Sequence, residues 1–412
     1  MLVLFHIFDT CFSQSAAIFR SNNIDTGVID MSCYGLWQNR NLTLIRRRKT
    51  MSQTVKKSMF IFFCISLLMG LSGNAFAGPV SASDFIDNMS INGDLRIRYE
   101  YAEKDVPDED PTDRWRQRFR LGMKWNNNAE NWTLAAGLAT GGADATSTNH
   151  TYSDTTFFET GDIRLDYAYA EHKINALKFI AGQQKNPFLT TWALWDGDVM
   201  PVGFTGQYQM APVFVTMGGY DVRYIDRDVA YMYAVQAGAK IDFITAALGY
   251  YTYGRVDEIL GKENMDKDYG YDIVDVNVAS EIKMDPVTLS PYAHVFYNMG
   301  AEGVEGQSFL GGNIDPEDEN MGWLIGIGAK IDKFSVSVDY AKIGADSCIA
   351  ALKDGDFGNA LNSVDVQGFK VGLGYKVTQN FSLAATAYLY EAAERDLDQD
   401  AKTYHFDLNY KF

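Results

Sequence analysis

The chain reads as an all-β protein, a transmembrane antiparallel β-barrel of sixteen strands with short periplasmic turns and long extracellular loops. Three observations predict this: period-two alternation of apolar and polar residues along most of the chain, connections that alternate between short and long, and a final strand ending on Phe412.

The last segment carries the alternation most clearly. Tyr404, Phe406, Leu408, Tyr410 and Phe412 fall on one face, and Thr403, His405, Asp407, Asn409 and Lys411 on the other. One face suits lipid and the other suits water. Ile91, Leu95, Ile97, Tyr99 and Tyr101 likewise oppose Asn92, Asp94, Arg96, Arg98 and Glu100. Segments of this kind predict strands near 91–101, 114–125, 131–140, 162–172, 176–184, 202–210, 212–220 and 230–241. A second set follows near 242–254, 271–284, 287–299, 321–331, 333–343, 364–376, 380–391 and 402–412. Their lengths approach the ~9 to 11 residues that a tilted transmembrane strand requires.

Short connections such as Lys173 to Asn175 and Asp285-Pro286 alternate with long ones near 102–113, 141–161, 185–201, 221–229, 255–270, 300–320, 344–363 and 392–401. Aromatics make up 14% of the chain, and Tyr101, Trp115, Trp125, Tyr340, Tyr375 and Tyr410 sit at strand ends, as in the interfacial girdles of a lipid-facing barrel. A soluble sandwich or propeller explains the alternation but not this placement. Pro291 falls inside a predicted strand, and a closed barrel has no edge to hide its missing donor, so a bulge or late strand start is expected there.

Residues 51–77 read as a secretory signal peptide: Lys56 and Lys57 form the charged n-region, Met59 to Leu71 the apolar run, and Ala75-Phe76-Ala77 the cleavage site. Met51 is therefore taken as the true start and residues 1–50 as an upstream extension. The alternative is an unusually long n-region ending in Arg46-Arg47-Arg48-Lys49. Residues 78–90 follow as a periplasmic N-terminal segment, and 91–412 as the barrel, destined for the outer membrane after Sec-type export.

Of four cysteines, Cys11, Cys33 and Cys64 precede the cleavage point, so Cys348 stands alone and forms no internal disulfide. Taking residues 1–77 from the 36 basic and 53 acidic side chains removes 8 and 3, which leaves a net charge of −22. A nucleic-acid partner is excluded by that repulsion.

With the apolar face to lipid, the polar face lines the lumen. Arg96 and Arg98 on the first strand, Arg114, Arg116, Arg118 and Arg120 on the second, and Arg164 on the fourth then converge on one wall. Thr133, Ala135, Gly137 and Ala139 on the third leave room for them. The connection 185–201 is apolar and aromatic for an exposed loop, so it is expected to fold inward and bring Asp196 and Asp198 near the arginines. Such a zone carries a transverse field that sorts solutes by size, charge and dipole. The bland alternative is that the arginines pair with Asp94, Glu100, Asp162 and Asp166, and both can hold at once.

Acidic runs at Asp108 to Asp110, Asp113, Asp315 to Glu319 and Asp396 to Asp400 fall in long loops, where solvation accounts for them better than cation bridging to lipopolysaccharide. His150, His172, His294 and His405 show no metal-ligand spacing, and no nucleophile-elbow pattern accompanies them. Ser290 and His294 share one strand at about 13 Å by strand rise. No metal, no cofactor and no enzymatic role is expected.

The chain resembles the putative porins of Gram-negative bacteria, a family of sixteen-stranded barrels. The resemblance rests on Gly93-Asp94-Leu95-Arg96-Ile97-Arg98-Tyr99-Glu100, on Arg116-Gln117-Arg118-Phe119-Arg120, and on Leu165-Asp166-Tyr167-Ala168-Tyr169. Gly182 to Phe188 with Trp195-Asp196-Gly197-Asp198, and the ending Phe406 to Phe412, complete it. It implies a homotrimer in the lipid bilayer beside lipopolysaccharide, an inward third loop, and recognition of Tyr410 and Phe412 by the barrel-assembly machinery. It also implies passive diffusion of small hydrophilic solutes. The chain lacks the lysine ladder of phosphate-selective relatives. The alternative role is a structural or adhesive barrel whose acidic loops bind partners and whose lumen is plugged.

Overall fold

A computed structural model of the protein describes residues 81–105, 110–152, 160–225, 228–260, 269–302, 308–310, 315–361, 363–395 and 399–412. All belong to the unit Asn74–Phe412. The upstream extension 1–50, the export signal 51–77, Asp108, Glu109 and residues 396–398 lie outside the described residues.

Apart from the two-residue strand His150–Thr151, which pairs with Arg116 and Gln117, sixteen strands are formed among them. They are β1 Met89–Lys104, β2 Thr112–Asn127, β3 Trp132–Thr140, β4 Ile163–Ile174, β5 Leu177–Gln183, β6 Val202–Met210, β7 Val213–Ile225 and β8 Asp228–Ile241. The second half comprises β9 Ile244–Gly254, β10 Asp272–Ser280 with its continuation Ile282–Met284, β11 Val287–Asn298, β12 Met321–Ile331, β13 Phe334–Ile343, β14 Val366–Lys376, β15 Phe381–Ala392 and β16 Asp400–Lys411. Each pairs antiparallel with the next, and β1 pairs with β16, so the sheet is closed and exposes no edge. A short helix, α1 Ala82–Asp87, precedes β1 and is capped by Ser81, whose hydroxyl accepts from the Asp84 amide at 3.1 Å.

The tight turns owe their shape to residues that tolerate left-handed backbone. Asn131, Asn175, Asp242 and Asp332 have φ between 51° and 59°, each at the connection of two paired strands. At the seam, Gly93 and Phe412 exchange both backbone hydrogen bonds, at 2.9 and 3.0 Å. A Cβ on Gly93 would stand 2.5 Å from the Phe412 ring and 2.5 Å from the Arg120 carbonyl oxygen, so only glycine fits.

The outer face carries exposed Leu95, Ile97, Ile325, Phe369, Phe406 and Leu408. On a soluble protein this apolar belt would drive aggregation, whereas on a membrane barrel it meets lipid.

Two elements depart from the sequence expectation. The connection expected at 221–229 is largely strand, because β7 runs to Ile225 and β8 starts at Asp228, with one bulge between Asp221 and Arg223. At Pro291 neither a bulge nor a late start occurs. The register against β12 runs straight through Pro291↔Ile327, and against β10 the ladder lapses between Ala279↔Tyr292 and Ile282↔Leu289 without slipping. The missing donor falls at a local gap in the β10–β11 ladder, while on its other side β10 stays bonded to the chain before β9, the Glu281 amide donating to the Phe243 carbonyl at 3.0 Å.

Candidate functional site

The site is the inner wall of β1, β2 and β16, and the loops folded onto it. Antiparallel register sets Asp94, Arg96, Arg98 and Glu100 opposite Arg120, Arg118, Arg116 and Arg114. On the other side Arg98 faces Asp407 and Glu100 faces His405. Because the side-chain period is two, all of these point inward together.

Most of these guanidiniums have acidic partners. Arg98 holds Asp407 with Nε and Nη2 at 2.7 and 2.9 Å. Asp94 accepts from Arg118 at 2.8 Å and from Arg120 at 2.7 Å. Glu100 accepts from Arg114 and Arg116, each at 2.7 Å. Arg96 forms no ion pair among the described residues: its Nη2 donates to the Asn149 side chain at 2.6 Å, and its Nε is buried without a partner. Arg164 donates to the carbonyls of Gly142 and Asp144 and lies 4.0 Å from Asp166.

Small residues make this crowding possible. Ala135, Gly137 and Ala139 of β3 leave the wall low, and the Tyr167 ring lies flat over it. A Cβ on Gly137 would come within 2.3 Å of that ring, and one on Gly122 within 2.5 Å of its hydroxyl. The connection after β3 then covers the arginines, with Ser147 and Thr151 accepting from Arg116 at 3.2 and 3.0 Å.

The connection 185–201 crosses the lumen and is tied at each step. The Leu189 amide donates to Gln236 at 2.8 Å, Thr191 meets His294 at 2.7 Å, and the Trp192 indole donates to Asp339 at 3.1 Å. His294 is in turn held by the buried Asp275 at 2.9 Å. Asp198 reaches the wall, accepting from Arg120 at 3.3 Å and from the Thr148 hydroxyl at 2.9 Å. Asp196 does not: it forms no ion pair among the described residues, and its carboxylate accepts the Asp198 amide at 2.6 Å. Of the two acids expected near the arginines, Asp198 makes direct contact with one, Arg120, and Asp196 contacts none among the described residues.

What holds Asp196 away is a second inward segment, 344–365, which sequence reasoning noted only as a long loop. The Asp196 amide donates to the Leu352 carbonyl at 2.7 Å, and the Asp354 amide to the Trp192 carbonyl at 3.1 Å. Trp192 packs on Phe357 at 4.9 Å, and Lys370 lies 4.8 Å from the Trp192 ring while bonding Asp354 at 3.1 Å. Phe357, Ile349, Leu361 and Val364 are buried inside the barrel. Burying a side chain of this size contributes about 1.5 to 3 kcal/mol. The apolar spacing of the segment, Ile349, Leu352, Phe357 and Leu361, was the signal available for it.

The fully buried Lys353 ammonium donates to the carbonyls of Asp354 and Phe357, at 2.8 and 2.5 Å. Burial pushes its pKa down to about 8. Burial, followed by the neighbouring carboxylate of Asp354, pushes Asp196 up to about 8. Asp356 of the same segment accepts from Arg98 at 3.3 Å. Glu100, Asp356 and His405 offer ligand atoms within 4.8 Å of one another. Arg98, Arg114 and Arg116 already supply positive charge to those carboxylates. Nearer the short turns, a cavity of about 330 Å³ opens between Thr191 and Trp192 on one side and Asn277, Ser290 and Tyr292 on the other.

A closed sixteen-stranded antiparallel barrel with a lipid-facing belt and a charged inner wall defines an outer-membrane β-barrel. Residues 106–280 match the family model described as putative porin. The chain is also similar to the solved structure of a triple mutant of the Rhodopseudomonas blastica porin, at 14% identity and a TM-score of 0.47, over 79% of this chain and 100% of that one. A second mutant of the same porin matches at 14% identity and a TM-score of 0.48, with the same coverage. No curated protein matches the chain.

Proposed function

We propose that the barrel lets small hydrophilic solutes diffuse passively across the outer membrane, with a weak preference for anions. The observation that carries this reading is the inner wall, where Arg96, beside Arg98 and Arg118, keeps a guanidinium with no carboxylate partner among the described residues. Local charge at a narrow point outweighs charge at the mouth. The pore-lining set is Arg96, Arg98, Arg114, Arg116, Arg118, Arg120 and Arg164, with Asp198 as the opposing acid. The same reading includes a homotrimer, contact with lipopolysaccharide, and delivery by the export signal to the barrel-assembly machinery through Tyr410 and Phe412.

One observation favours the alternative of a structural or adhesive barrel: apolar side chains such as Phe357 and Ile349 pack inside the lumen. Recording purified protein in planar bilayers separates the two. Stepwise conductance is expected. Silence from correctly folded barrels would sink the diffusion reading in favour of the plugged one.

A further inference from the structure

We infer that segment 344–365 is a second constriction element, docked on the connection 185–201 as one folded plug that sets the bore of the lumen. The inference rests on the diffusion reading and names what limits passage in it.

The two segments share backbone hydrogen bonds in both directions, from Asp196 to Leu352 and from Asp354 to Trp192. Paired main-chain bonds of this kind fix a relative position more firmly than side-chain contacts alone. Between them lies a buried, apolar interface: Trp192 on Phe357, and Cys348, wholly buried, with its sulfur 3.9 Å from the Ala193 carbonyl. Lys370 of β14 clamps the joint from the wall, bonded to Asp354 and lying over both Trp192 and Tyr388.

Each segment then sends one acid to the arginine wall. Asp198 meets Arg120 and Asp356 meets Arg98, both at 3.3 Å. These contacts are longer than the strand-to-strand pairs of the same arginines, at 2.7 Å for Arg120 with Asp94 and for Arg98 with Asp407. The plug is therefore held firmly on the far wall and loosely on the arginine wall. Hydrophilic solutes would pass along that loose boundary, so its width depends on both segments.

The test compares single-channel currents of the wild-type chain with a variant in which residues 347–361 are replaced by a short Gly-Ser bridge. The shortened variant should conduct at least about twofold more, because conductance follows the open cross-section. Equal currents overturn the inference and leave the diffusion reading standing. A silent wild type with a conducting variant overturns the diffusion reading at rest and supports the plug. Silence from both overturns both.

Should the shortened variant fail to fold, thiol labelling of the wild type decides, with the modified peptide located by mass. Cys348 in membrane-embedded protein should resist a polar maleimide and become reactive in Phe357→Ala. Labelling of wild-type Cys348 at the rate of a free thiol overturns the docking.

Discussion

Arg98 and Asp407 face each other across the seam where the first strand meets the last, joined by two parallel hydrogen bonds of 2.7 and 2.9 Å. This fork-to-carboxylate geometry is the strongest ion-pair arrangement available to side chains. Both groups are nearly buried, so the pair works as a staple for barrel closure.

Removing one half of it strands the other. Asp407→Ala is expected to cost about 3 kcal/mol, the lower end for a buried pair losing one partner, because Asp356 still shares the guanidinium. Urea unfolding of the detergent-solubilised barrel measures this directly. A variant as stable as the wild type would show that lumen water replaces the carboxylate.

The same seam depends on Gly93. Gly93→Val puts methyl groups into the Phe412 ring and the Arg120 carbonyl, and overpacking of this sort costs about 1 to 3 kcal/mol. Lower thermal stability and slower barrel closure on refolding are expected. Phe412→Leu, which frees part of that space, should recover some of the loss in the double variant.

Acidity acts on the plug with a defined sign. Asp196 has a raised folded-state pKa of about 8, so its protonated form supports the fold at low pH. That support is lost as pH rises from the ordinary carboxylate range through 8. Lys353 has a depressed folded-state pKa of about 8, so support from its neutral form is present above about 10.5 and lost as pH falls toward 8. The two limbs meet, and the plug should be least stable near pH 8. Protection factors of residues 349–357, normalised for the intrinsic rise of amide exchange with pH, should be lowest there, and Asp196→Asn should flatten the acidic limb alone. A protection profile without a minimum near pH 8 would exclude these two groups as the cause.

Selectivity should follow the arginine wall. In Arg116→Ala with Arg118→Ala, Glu100 and Asp94 each keep one arginine, Arg114 and Arg120, and lose the other. The local charge moves toward negative, and the reversal potential should move toward cations. An unchanged potential would show that these side chains do not control the pore.

The strands were legible because their code is local. Alternation identifies which face each residue takes, and the left-handed Asn131, Asn175, Asp242 and Asp332 mark where the chain reverses. Even Pro291 announced its irregularity, although its outcome, a gap in β10 without a register slip, depended on the neighbouring strand. The inward arginines were legible for the same reason. Their partners were less so, since Arg98 finds Asp407 a full 309 residues away.

The sequence by itself determined the barrel: a period of two repeated through sixteen segments leaves one face for lipid and one for water, and closure follows because unpaired strand edges are costly in a membrane. Only the tertiary structure decided what fills the lumen. Periodicity states which way Lys370 can point but not what stands opposite, and the loop that carries Trp192 has no periodicity at all. That Asp198 meets Arg120 while Asp196 is drawn to segment 344–365 was settled by packing between segments far apart in the chain.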